Sequence, residues 1–314
     1  MPKVSVIMPA YNAEAYIKEA IDSILGQSFS DLELIVINDC SVDSTETVIL
    51  GYSDCRILYL KNEKNMGVAA TLNRGLEVAS GEYIARMDSD DIALPERLTQ
   101  QVQFLDEHPD YAICGSSLIV FGKNQHDRPF PYPVTDKEIR ANMIFNSPFA
   151  HPSIMMRAEM LKQCGRYYDQ NYEKAEDFEL WYRLLRYGKG YNFQQPLLRY
   201  RHHGKQVRTA NAAEQKEAVL RLRNRMVQEM GAGLTDEEMG VFQALCGGQR
   251  NFSRDEYRLF VSGGKKLIGV HPQGRCLRQI FGQLNMAVKE ASGCKGPWLH
   301  WMEMIYSAYG LIKK

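Results

Sequence analysis

Short apolar runs alternate with stretches of helical spacing through the first half of the chain. Val4 to Met8, Leu32 to Ile37, Arg56 to Leu60, Glu82 to Met87 and Tyr111 to Val120 read as strands. Between the first two, Ile17, Ala20, Ile21, Ile24 and Leu25 recur at helical spacing, with Asn12 placed to cap the helix and Gly26 to end it. Further helices are predicted after Asp43, after Gly67 and from Pro95, where a proline in the first turn loses no needed hydrogen bond. Strand, helix and strand in alternation predict an α/β fold, a mostly parallel sheet with crossover helices on both faces.

From about Asn211 onward the pattern becomes helical, broken at Gly231-Ala232-Gly233, Gly247-Gly248 and Ser262-Gly263-Gly264. The expected division is an α/β domain over 1–210 and a helical C-terminal extension over 211–314. Near the end, Trp298, Trp301, Met302, Ile305, Tyr309 and Ile312 fall on one helical face, with His300, Glu303 and Ser307 opposite. Such a face suits peripheral contact with a membrane interface, but its only cations are Lys313 and Lys314, so packing against protein is favoured. Arg221, Arg223 and Arg225 alternate with other residues and spread their charge around a helix.

Length and charge narrow the function. A chain of 314 residues accommodates one large core and an appendage. With 38 basic against 38 acidic residues there is no excess charge to neutralise a run of phosphates, so nucleic acid is not expected as a partner. The seven cysteines stand at wide spacings without a C-x-x-C pair, which fits a reducing compartment. Met1-Pro2-Lys3-Val4 enters a strand directly, without the features of a signal peptide, and no run approaches the roughly 20 apolar residues of a spanning helix. A cytoplasmic protein, peripheral at most on the inner face of the plasma membrane, is the expectation.

Ionisable residues gather just beyond strand ends, where open α/β sheets bind ligands. Asp88, Asp90 and Asp91, with Ser89 between them, follow the Glu82 to Met87 strand and suit a hard cation, Mn2+ or Mg2+, that offsets the charge of a diphosphate. Asp39 follows Leu34-Ile35-Val36-Ile37-Asn38, and Pro9-Ala10-Tyr11-Asn12 presents a ring at the neighbouring strand end. A carboxylate beside a stacking ring makes a reasonable nucleobase pocket.

Val4-Ser5-Val6-Ile7-Met8-Pro9-Ala10-Tyr11-Asn12, Ile37-Asn38-Asp39-Cys40-Ser41-Val42-Asp43, Asn73-Arg74-Gly75 and Met87-Asp88-Ser89-Asp90-Asp91 together resemble glycosyltransferase family 2, over about residues 3 to 208. The resemblance implies the GT-A fold and inverting transfer of a sugar from a nucleotide-diphosphate donor, with UDP as the usual nucleotide. It implies that Pro9, Ala10, Tyr11 and Asp39 hold the nucleoside, joined in the donor set by Asn12, Arg74 and Ser89. Asp88 and Asp90 would bind the diphosphate through the metal, Asp90 as the direct ligand. Cys40 stands where the family usually has glycine, so the turn after Asp39 is not expected to need a left-handed backbone.

The acceptor hydroxyl needs a base, and Glu176-Asp177-Phe178-Glu179-Leu180-Trp181 opens a helical stretch. Asp177 shares a stripe with Trp181, Leu184 and Leu185, whereas Glu176 shares a face with Glu179 and Arg183, so spacing turns Asp177 inward and Glu176 outward. The family's Glu-Asp motif implies the same base, Asp177. His151 precedes Pro152, which biases it to extended backbone continuing into a strand, and the resemblance puts it beside the acceptor cleft. His203 lies in the basic run Arg199 to Arg208, matches the family's Tyr-Arg-x-His segment, and is a candidate third metal ligand. The acceptor would be a saccharide or lipid-linked saccharide in surface polysaccharide or glycoconjugate assembly. A sugar nucleotidyltransferase would want a glycine-rich phosphate loop near the N-terminus, which Pro9 to Asn12 does not supply. A non-catalytic assembly scaffold would tolerate loss of Asp90 or Asp177, and both are present.

Overall fold

The structure, a computed structural model, describes residues 1–122, 125–165, 167–203, 212–249 and 251–292. Its strands are β1 Val4–Ala10, β2 Leu32–Asn38, β3 Ile57–Lys61, β4 Tyr83–Arg86, β5 Ile92–Ala93, β6 Tyr111–Gly122, β7 Gln125–Phe130, β8 Met155–Arg157 and β9 Lys189–His202. The helices are α1 Ile17–Leu25, α2 Thr45–Leu50, α3 Val68–Val78, α4 Arg97–Glu107, α5 Asp136–Met143, α6 Ala158–Gln163, α7 Glu176–Leu184, α8 Ala212–Glu229, α9 Asp236–Cys246, α10 Arg254–Val270 and α11 Gly274–Ser292.

One sheet runs in the order β3-β2-β1-β4-β8-β6-β9-β5, with β7 on β6. β1, β2, β3 and β4 are mutually parallel, β8 is antiparallel to both β4 and β6, and β9 returns parallel to β6. The chain builds outward from β1 to β3 and then crosses back to place β4 on the other side of β1. That reversal opens a crevice at the carboxyl ends of β1, β2 and β4, where a ligand can enter between the loops. β1, β2 and β4 are buried almost throughout, as their near-continuous apolar runs require of strands covered on both faces. Gly75 lets α3 lie close on this sheet: a Cβ there would come within 2.7 Å of Ile7 and 2.9 Å of Ile37.

Two local expectations are corrected. Asn12 does not cap α1, which starts at Ile17 with Tyr16 at the capping position. Asn12 instead takes a left-handed φ of 49° and its side-chain oxygen accepts from the Val42 amide at 3.0 Å, locking the β1 loop to the β2 loop. Residues His151–Ser153 form a 3-10 turn, not an extension of β8; the backbone folds so that the Ser153 amide reaches the Ala150 carbonyl.

The chain divides into two compact units: Met1–Asp136 with Ser147–Ala218, and Lys137–Asn146 with the chain from Val219 onward. In the second, α8 to α11 enclose Val227, Phe242, Tyr257, Phe260, Leu267, Leu277 and Phe281, and Phe145 packs among them. Thr235 and Ser253 open α9 and α10 with reciprocal capping boxes. No helix among the described residues is long and apolar enough to cross a membrane. The Trp298 to Ile312 face and Lys205 to Arg208 lie outside the described residues.

Candidate active site

The ends of β1 and β2 build one side of the crevice. The Asp39 amide donates to the Ala10 carbonyl at 2.8 Å, carrying β1–β2 pairing one step beyond the strands. Pro9 and Ala10 complete β1, and Tyr11 is left 51% exposed at its end, a ring open to a ligand. Asp39 is buried, and its carboxylate accepts from Asn62 Nδ2 at 2.7 Å and from the amides of Met66 at 2.8 Å and Gly67 at 3.0 Å. Asn62 in turn accepts from Arg74 Nη1. Asp39 and Arg74, distant in sequence, are thus joined through one buried amide.

The reading of Cys40 is overturned. It stands in the left-handed region at φ 60°, the conformation that glycine adopts without steric cost. Ser41 accepts from the Asn12 amide and donates its own amide to Asn38, and these bonds impose the turn on a side chain that disfavours it.

Asp88, Asp90 and Asp91 leave the end of β4 together, with one carboxylate oxygen from each within 4.8 Å of the others. Their surroundings give them different work. Asp88 Oδ2 lies 2.5 Å from Arg86 Nη1, an ion pair that reaches back into the sheet. Burial, with the Asp88 charge next, raises the Asp90 carboxyl above its ordinary value. Asp91 is wholly buried, accepts the Arg201 amide at 2.8 Å through Oδ1 and leaves Oδ2 without a partner; burial and the Asp88 and Asp90 charges push it well above the usual carboxylate range. Crowded carboxylates with an orphaned buried oxygen fit a divalent cation, whose charge would relieve that repulsion. Ser89 sits partly exposed between the first two.

His203 joins them from the far end of β9, with Nε2 2.9 Å from Asp90 Oδ2. The two-residue β5 strand makes this reach short, because Ile92 pairs with Arg199 directly after the aspartates. Arg201 Nε also donates to the Asp90 carbonyl at 2.7 Å.

The turn before β8 and the start of α7 form the other side. His151 Nε2 is 2.9 Å from the Tyr168 hydroxyl, and its ring lies 5.7 Å from that of Trp181. Burial and the Arg86 charge hold His151 well below its ordinary value, so it is neutral at pH 7. Trp181 is fully buried, and its Nε1 has no partner.

In α7 the two carboxylates are placed opposite to the expected orientation. Glu176 is buried with Oε2 unpartnered, whereas Asp177 is only partly buried. The cause lies three residues on: Glu179 is itself buried because Arg183 Nε donates to both its oxygens, at 2.9 and 2.8 Å, and Arg183 also bonds the Tyr167 carbonyl. A paired charge lets the polar side of an amphipathic helix enter the protein, and Glu176 follows it in. Burial and the adjacent Asp177 charge push the Glu176 carboxyl up to about 7.

Several contributors were not legible from motifs. Arg86 is buried inside β4, and its charge bears on Asp88, Asp91, His151 and Glu176, linking the two halves of the site. The one available signal was a lone arginine within the apolar run Tyr83-Ile84-Ala85-Arg86-Met87, since an unpaired charge is seldom buried. Arg97 is also wholly buried; it bonds the Arg86 and Ile154 carbonyls, and burial draws it down to about 10.

The sheet order with carboxylates at its strand ends is the GT-A fold of glycosyltransferases. The family model for Glycosyl transferase family 2 matches residues 5–165. The chain is 35% identical over 233 residues to an uncharacterized glycosyltransferase of Haemophilus influenzae, covering 71% of this chain and 72% of that one. It is 40% identical over 208 residues to the putative glycosyltransferase EpsE of Bacillus subtilis, covering 64% and 73%. Among solved structures, S. aureus TarS 1-349 in complex with UDP-GlcNAc superposes with a TM-score of 0.62 at 21% identity, covering 93% of this chain and 88% of that one. The protein belongs to glycosyltransferase family 2.

Proposed function

We propose that the protein transfers a sugar, with inversion at the anomeric carbon, from a uridine-diphosphate donor held by Pro9, Ala10, Tyr11, Asn12, Asp39 and Arg74 to a saccharide or lipid-linked saccharide acceptor. The observation that carries this is the convergence of Asp88, Asp90, Asp91 and His203 at the carboxyl end of β4. The UDP-GlcNAc bound by TarS, whose fold this chain shares, supports the choice of donor class. Residues 1–210 form the catalytic domain in this reading and 211–314 the helical extension, and surface polysaccharide or glycoconjugate assembly is the setting.

Asp90, Asp88 and His203 would hold Mn2+ or Mg2+, with Ser89 lining the approach. Bound there, the ion supplies positive charge against the departing diphosphate. Asp177, at the N-terminus of α7 and partly open, takes the acceptor proton as the hydroxyl attacks in line; the bond from the anomeric carbon to the diphosphate oxygen breaks, and its electron pair leaves with the nucleotide. Glu176 and Trp181 wall off the base, and neutral His151 hydrogen-bonds at the acceptor cleft without competing for that proton. A thermal-shift series with UDP, GDP and dTDP, each with and without manganese, tests the reading. The largest rise in melting temperature should come with UDP and manganese together, since a ligand binding only the folded state stabilises it. Equal shifts with and without the ion would overturn metal dependence, and no shift with UDP would overturn the donor.

A further inference from the structure

We propose that Tyr16 is a positioning residue for the donor diphosphate, its ring forming the platform that holds His203 against Asp90. This rests on the reading that His203 and Asp90 serve that diphosphate. Tyr16 is the residue immediately before α1, outside every motif above. Its ring stacks on the His203 imidazole with centroids 4.9 Å apart and planes 26° from parallel, while His203 Nε2 meets Asp90 Oδ2 at 2.9 Å. An imidazole stacked on a fixed ring has lost the rotation about its side-chain torsions that would carry its nitrogen out of register with Asp90.

The same ring also holds a guanidinium. The Arg201 guanidinium lies 4.8 Å from the Tyr16 centroid and 4.6 Å from that of Phe121, between the two. Arg201 also pairs with Glu19, in the first turn of α1, and donates to the Asp90 carbonyl. The start of α1 therefore grips the end of β9 at two points, and both grips converge on Asp90. The contacts use the face of Tyr16, so phenylalanine should serve equally well; the hydroxyl has no part in them.

Calorimetric titration with UDP and manganese on Tyr16→Phe, Tyr16→Ala, His203→Ala and the double variant Tyr16→Ala/His203→Ala tests the proposal, with a melting curve for each. Tyr16→Phe should bind as the parent does, and Tyr16→Ala should bind about three- to tenfold more weakly, the range for one aromatic stack. The loss in the double variant should be smaller than the sum of the two single losses, because a platform without its imidazole has only Arg201 left to hold. Loss in His203→Ala with parental binding in Tyr16→Ala would overturn the proposal alone. So would additive losses, or a Tyr16→Phe variant as weak as Tyr16→Ala. Parental binding in His203→Ala would remove the underlying reading of the site, and the proposal with it.

Discussion

The side chain of Asn73 closes on the main chain of Tyr168, accepting from its amide at 2.8 Å and donating to its carbonyl at 2.8 Å. Asn73 belongs to α3, and Tyr168 stands before α7 and bonds His151. One amide thus ties α3 to the segment that carries the His151 contact. Asn73→Ala leaves two main-chain groups without their partner and should cost about 1–3 kcal/mol of stability. Chemical denaturation checks this, and an unchanged midpoint would show that the clasp is dispensable.

Asp90→Ala should abolish manganese-dependent binding of UDP while the chain still folds, since a strand-end carboxylate serves the ligand more than the core. Titration calorimetry reads the affinity and circular dichroism the fold. Parental affinity would defeat the metal assignment.

Asp177→Asn should keep donor affinity near the parent and lower turnover by about two to four orders of magnitude, the usual contribution of a positioned base. Glu176→Gln should lower it less. Steady-state rates with a competent acceptor rank the two, and the reverse order would move the base to Glu176.

Glu176 also predicts a pH dependence of stability. Its carboxyl is raised from 4.5 to about 7, so between those values the unfolded chain has released a proton that the folded chain retains. Its contribution is therefore complete below pH 4.5 and falls away as pH rises through about 7. Melting temperatures of the parent and Glu176→Gln, compared at about pH 5 and pH 8, should diverge in their pH trend, the variant showing the shallower decline. Parallel trends would mean that Glu176 titrates normally.

Gly75→Ala should destabilise the first unit by about 1–3 kcal/mol, because a methyl group would press into Ile7 and Ile37 across the α3 contact. Thermal melting measures it. A variant as stable as the parent would mean that α3 can shift away from the sheet at little cost.

Much of the fold was written in local pattern. Val4 to Met8, Leu32 to Ile37 and Ile17 to Leu25 declare strand and helix by period alone, and the polar residues that interrupt such runs at strand ends, Asp39 and Asp88 to Asp91, mark the crevice. These features depend on neighbours within a few residues, so the sequence by itself determined them. Tertiary structure decided the rest. Cys40 is held left-handed by bonds from the β1 loop, and Glu176 is carried inward because Arg183 neutralises Glu179. Arg86 couples two halves that no motif connects, and His203 meets Asp90 across a long span of chain, on the ring of Tyr16. Periodicity reports which face of an element is apolar; it carries no information about which distant partner compensates a buried charge or stacks on a ring, and those pairings exist only once the sheet has brought the segments together.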